Sequence, residues 1–208
     1  AIVTTPSGSA AGGSVILESG GAISLASNGT ITTTGTTAGA GGEVFIHHTN
    51  AAAGDITLGK AITGQGAGAG NGAVVTVLND SGKILVNAGV DVSKGATGAD
   101  GTIQLKASGD ITNNASGVLT GDTDGKLLAY STGGKIDLSA VASAMKSVSL
   151  QTDTTTASGN DGTVKYYDST DLTLATVGGA GTLTTAPSGT LASAVAVSTT
   201  GVKTVAGG

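Results

Sequence analysis

His47-His48 is the first place to look for chemistry, because imidazole binds metals and moves protons near neutral pH. The pair lies in an alternating apolar and polar run, the signature of a strand. Adjacent strand residues point to opposite faces, so the two rings cannot jointly chelate one ion. Glu43 is the one carboxylate beside them in sequence, and a surface or turn role is expected for both histidines. Glu18 and Glu43 are the only glutamates. A glycosidase-type pair must face across a cleft, commonly beside aromatic sugar platforms. These two are expected near each other on adjacent repeat units, with no aromatic or arginine around them, so no catalytic residue and no cofactor are expected. Asp100-Gly101, Asp124-Gly125 and Asp161-Gly162 raise calcium as a ligand. In GATGADGTI, however, the aliphatic residue falls one position late for a nonapeptide calcium roll. The pairs therefore read as turns, which leaves Asp122 and Asp124 as weak calcium candidates. Thr30-Ile31-Thr32 and Thr182-Leu183-Thr184 have the spacing of an ice-binding ladder, which fails at Ala61-Ile62-Thr63, Val90-Asp91-Val92 and Val148-Ser149-Leu150. Outward threonine is ordinary strand composition. A carbohydrate-active β-helix enzyme and an ice- or calcium-binding solenoid stand as the rival readings.

Composition points away from an enzyme core. The 208 residues include 37 glycines, with 2% aromatic and 11% charged residues, no cysteine and no tryptophan. All nine basic residues are lysine and the net charge is -5, which leaves no footprint for nucleic acid or anionic lipid. No apolar run approaches the ~20 residues of a membrane-spanning helix, and no membrane insertion is expected. Disulfides and thiolate metal sites are excluded. The opening AIVTTP carries no leader signature, so a processed or excised chain is expected.

The elements that must position any site come from an internal repeat. The phrases GGSVIL, GGEVFI, NGAVVTV, DGTIQL, DGKLLA and DGTVKY begin at or beside Gly13, Gly42, Gly72, Gly101, Gly125 and Gly162, at intervals of 29, 30, 29, 24 and 37 residues. Each is followed by a second short segment (AISL, DITL, KILV, DITN, KIDL, DLTL) and a third (TITT, AITG, VDVS, VLTG, SVSL, TLTT). A Gly/Ala/Ser/Thr connector follows. Three alternating segments plus a connector, recurring in phase, predict a single right-handed parallel β-solenoid of six to seven coils. Its main repeats span 12–186, with a looser terminal coil over 187–208. The handedness rests on the usual rule for parallel crossovers. Only Ser139–Ser147 departs from strand periodicity, and a turn or two of surface helix is expected there.

Stacking the repeats predicts four inward columns. They are Val15, Val44, Val75, Ile103, Leu127, Val164; Leu17, Ile46, Val77, Leu105, Ala129, Tyr166; Ile23, Ile56, Ile84, Ile111, Ile136, Leu172; and Leu25, Leu58, Val86, Asn113, Leu138, Leu174. Val74 and Leu128 compete for the first column with their neighbours. Ahead of the third column stand Ala22, Asp55, Lys83, Asp110, Lys135 and Asp171, a column of alternating charge expected to guard the register. Ile2, Val3 and Thr4 read as the third segment of a coil otherwise missing. Together with Val202 and Val205 they form soft ends, expected to mediate end-to-end assembly.

GTIQLKASGDITNNASGVLTGDTDG and its sister phrases resemble the repeats of the filamentous-haemagglutinin family of bacterial exoproteins and autotransporter-like adhesins, over 12–186. The resemblance implies an exported, extracellular or cell-surface β-helical stalk with a structural or adhesive role. The partners it implies are other copies in a filament, flanking coils of a longer chain, or a host or surface receptor that no motif identifies.

Overall fold

The computed structural model describes residues 1–153, 162–177, 199–200 and 202–204. Short strands bounded by glycine and Asx turns follow one another, and each pairs with its counterpart about one repeat away. The result is a parallel β-solenoid of about six coils with three walls. The first wall stacks β2 (Val15–Ser19), β5 (Val44–His48), β8 (Val74–Asn79), β11 (Thr102–Ala107), β14 (Lys126–Ser131) and β16 (Ser147–Thr152). The second stacks β3 (Ile23–Ser24), β6 (Ile56–Leu58), β9 (Ile84–Val86), β12 (Ile111–Asn113), β15 (Ile136–Ser143) and β17 (Val164–Asp168). The third stacks β1 (Ile2–Val3), β4 (Ile31–Thr32), β7 (Ile62–Thr63), β10 (Val90–Asp91) and β13 (Leu119–Thr120). As expected, Ile2 sits in the third wall, paired with Ile31.

Every predicted column holds through the fifth coil. Val44 lies on Val15, Val75 on Val44, Ile103 on Val75 and Leu127 on Ile103, so Val75 and Leu127 take the inward positions over Val74 and Leu128. These aliphatic side chains are almost wholly buried, each contributing ~1.5–3 kcal/mol. Parallel walls close on one another, so a core this thin needs no large aromatic to fill it.

Past the fifth coil the predicted phase is wrong by one wall, for a single reason. The third wall there shrinks to one bridge, Thr120 with Ala144. SVSL therefore forms the first wall of the sixth coil, with Val148 on Leu127 and Leu150 on Ala129. Val164 and Tyr166 consequently move to the second wall, over Ile136 and Leu138. Leu174 pairs with Val148 in the first wall, and Leu172 is exposed. The expected helix at Ser139–Ser147 is absent: β15 continues to Ser143, with a register shift after Leu138, and β16 starts at Ser147. The TLTT segment lies outside the described residues. Measured between stacked first-wall residues, successive coils take 29, 31, 28, 24 and 21 residues. The solenoid tapers.

The connectors of the wide coils are themselves stacked. Gly41 N–H donates to Asn71 O, Gly66 N–H to Ser93 O and Gly95 N–H to Gly70 O. Glycine is required by this close approach: a Cβ on Gly70 would lie 1.9 Å from Gly39 O, and one on Gly98 would lie 2.1 Å from Gly70 O.

The carboxy-terminal end is closed by a composite edge. β18 (Thr173–Leu174) pairs with the start of β16 and β21 (Val202–Thr204) with its end. Between them, β19 (Thr176–Val177) and β20 (Thr199–Thr200) form the one antiparallel pair among the described strands. Val202, expected as a loose assembly end, is thus paired with Leu150 inside the first wall. Val205 lies outside the described residues.

Candidate functional site

The histidines are not surface or turn residues. His47 is 4% exposed and His48 1%, on opposite faces of β5. The parallel register brings Glu18 beside His47 from the coil below, with Glu18 Oε1 3.4 Å from Nδ1. Asp80, just past β8, places Oδ2 3.0 Å from Nε2. Imidazole thus bridges three coils through opposite nitrogens, an arrangement that ties strands together and cannot close on one metal ion. His48 faces inward at the corner above Ser19 and below Asn79, and its Nδ1 has no hydrogen-bond partner. Sequence separation hid the bridge, since Glu18 and Asp80 are 29 and 33 residues from His47. Glu43 is opposite Ser14, four positions along from Glu18. At the strand rise this is ~13 Å, so the two glutamates stand at opposite ends of the segment and not near each other.

Asp122 and Asp124 occur at the corner where the taper begins. Asp122 adopts a left-handed backbone, φ 45°. Asp124 is engaged: its Oδ1 accepts Asp100 N–H at 2.9 Å and lies 3.5 Å from Lys94 Nζ. Asp100 is the buried member. Its Oδ1 accepts Lys94 N–H at 2.7 Å, and its Oδ2 accepts Thr123 N–H at 2.8 Å and Asp124 N–H at 2.7 Å. Burial, with the neighbouring Asp124 carboxyl, raises the Asp100 pKa, while hydrogen bonding from the Asp100 side lowers that of Asp124. The Asp-Gly pairs Asp100-Gly101 and Asp124-Gly125 are therefore a clasp between two coils. Among the described residues no three His, Asp or Glu side chains converge as a metal-binding group.

The charge column is real over four coils and wrong at its end. Asp55, Lys83, Asp110 and Lys135 stack through the backbone ladder, and the next place is taken by Thr163. Asp171 is displaced by the one-wall shift. It lines a shallow surface depression with Asp122, Thr123, Lys146 and Thr170. Lys83 Nζ pairs with Asp110 Oδ2 at 3.2 Å. The carboxylates also reach the backbone of the next coil: Asp55 accepts Lys83 N–H at 3.0 Å and Asp110 accepts Lys135 N–H at 3.1 Å. The column thus works as a carboxylate-to-amide ladder as well as an ion row.

Sequence reading missed a second apolar surface. Phe45, Leu78 and Leu128 are buried on the outward face of the first wall, with Ile16 and Tyr130 packed against them. The signal was present in VILE, VFIH, VVTVL and KLLAY, which are apolar at consecutive and not only alternate positions. Lys106 lies over the Tyr130 ring at 6.0 Å, and burial lowers its pKa. Burial also raises the Tyr130 pKa.

At the tapered end Tyr166 fills the second-wall interior and donates its hydroxyl to Asp168 Oδ2, which also accepts Met145 N–H at 3.0 Å. Burial, then Asp168, raises the Tyr166 pKa far above the ordinary phenol value. Among the described residues, the exposed large hydrophobics are Ile2, Val3, Tyr167, Leu172 and Leu174, all at the two ends of the solenoid. Compared with family models, curated proteins and solved structures, the chain shows no significant match to any.

Proposed function

We propose that the chain is a non-enzymatic structural element, an extracellular β-helical stalk segment of the surface-adhesin type. The supporting observation is the aliphatic interior, continuous in register from Val15 to Val148 along the first wall. Each coil adds one strand spacing, ~4.8 Å, of stiff rod without demanding any particular outward residue. Such a rod separates what lies at its two ends. The likeness of GTIQLKASGDIT to exported haemagglutinin repeats supports placing it outside the cell. The same stacking suits a filament subunit, because the exposed apolar residues lie at the ends.

Antibodies raised against the purified chain test the location. Labelling of intact source cells, removed by external protease, is the expected result, and labelling only after lysis sinks the extracellular reading. Excision of residues 44–74, one coil, tests the spacer role. A folded, shorter solenoid is expected, whereas an unfolded product shows that the coils are not modular.

A further inference from the structure

The two ends of the solenoid differ. At the amino-terminal end β1, β2 and β3 are the last strands of their walls, and each pairs on one side only. Their outer edges present unpaired backbone donors and acceptors around the whole first coil. Ile2 and Val3 are exposed there, Val3 by 63%. Residues 1–42 contain one charged side chain, Glu18, and it is turned onto His47. No lysine or aspartate guards this edge. At the other end the third wall is reduced to Ala144, β18 and β21 split the edge of β16, and β19 with β20 breaks the parallel pattern. Lys146, Lys165, Asp168 and Asp171 are gathered there. An open three-walled edge and a narrowed, charged, composite edge do not complement each other.

We infer that the amino-terminal edge is the association face and that its occupant is the same edge of a second copy, joined by a two-fold axis. This rests on the reading of the chain as a structural solenoid and names its partner. Helix geometry makes the fit automatic. A helix has two-fold axes perpendicular to its own axis, so rotation about one through the first wall sets β2 antiparallel on β2 of the other copy. The same rotation sets β1 of each copy on β3 of the other. Because the chain climbs steadily from β1 through β2 to β3, all three walls then meet at one strand spacing. The contact is isologous and closes at two copies, and the capped ends point outward.

The chain contains no cysteine, so single cysteines report the contact cleanly. The 208-residue chain is expected to sediment as a dimer whose mass does not grow with concentration. Val3→Cys mixed with Ser24→Cys should be joined by a short bis-maleimide, whereas Val3→Cys mixed with Leu174→Cys should not. Val3→Lys should weaken dimerisation by about tenfold or more, with circular dichroism unchanged, and Leu174→Lys should leave it intact. Growth into fibres with Val3-to-Leu174 crosslinks overturns the proposal in favour of head-to-tail stacking. A monomer at high concentration overturns it outright. Neither result touches the surface-labelling test.

Discussion

The first three coils and the two that follow are built from the same aliphatic, glycine and threonine alphabet, yet they enclose different sections. Coils of 29, 31 and 28 residues have three walls and a stacked glycine connector. Coils of 24 and 21 residues progressively lose the connector and then the third wall. In the wide coils Ile, Leu and Val stack on like neighbours. In the narrow ones the only methionine, Met145, and an inward tyrosine, Tyr166, fill an irregular interior. A solenoid can thus hold its strand ladder while changing its cross-section, provided one corner is clasped by side chains in place of backbone. Asp100 clasps the start of the taper and Asp168 its end.

The sharpest break of this comparison is in the core. Ile84→Ala, in a wide coil, should cost about 2–5 kcal/mol by chemical denaturation, because like neighbours above and below cannot collapse into the gap. Met145→Leu, in the narrow region, should cost less than about 1.5 kcal/mol. Equal losses would mean that the two regions are packed alike. Next comes the clasp. Asp100→Asn turns an amide NH2 toward amides that now donate to a carboxylate oxygen, with an expected loss of about 1–3 kcal/mol in the same assay. A neutral result would leave the taper held by packing alone.

Tyr166 provides a pH signature of the narrow end. Its folded pKa lies above the unfolded value, so its contribution is complete below about pH 10 and is lost as pH rises toward the folded value. Melting followed from pH 9 upward should therefore fall more steeply for the native chain than for Tyr166→Phe. Parallel curves would show that the hydroxyl titrates freely. Smallest is the surface column: Lys83→Ala should cost less than about 1 kcal/mol, since the Lys83–Asp110 pair is largely solvated. A larger loss would make the ion row, and not the carboxylate-to-amide ladder, the guard of register.

The wide coils were legible because each wall has its own phrase at a constant interval. Ile23, Ile56, Ile84, Ile111 and Ile136 could be aligned by eye, and they stack. The narrow coils were not, because an alternating segment such as SVSL suits any wall. Only the missing third strand decides where it goes. The 37-residue interval before Gly162 hid a 21-residue coil plus the first wall of the next. Small residues in Ser139–Ser147 suggested helix because propensity is local, whereas β15 is held by pairing to distant residues. The histidine bridge and the Asp100 clasp join residues a full coil apart, which no local motif encodes.

The stacked glycines bear on durability outside a cell. Connectors such as Gly35–Gly42 and Gly64–Gly72 read as pliable linkers, the composition that endoproteases cut most readily. Here their amides are bonded to the coil above or below, so a protease would have to peel several coils apart before its active site could grip the chain. A glycine-rich segment thus becomes armour, and the cleavage sites retreat to the ends of the rod.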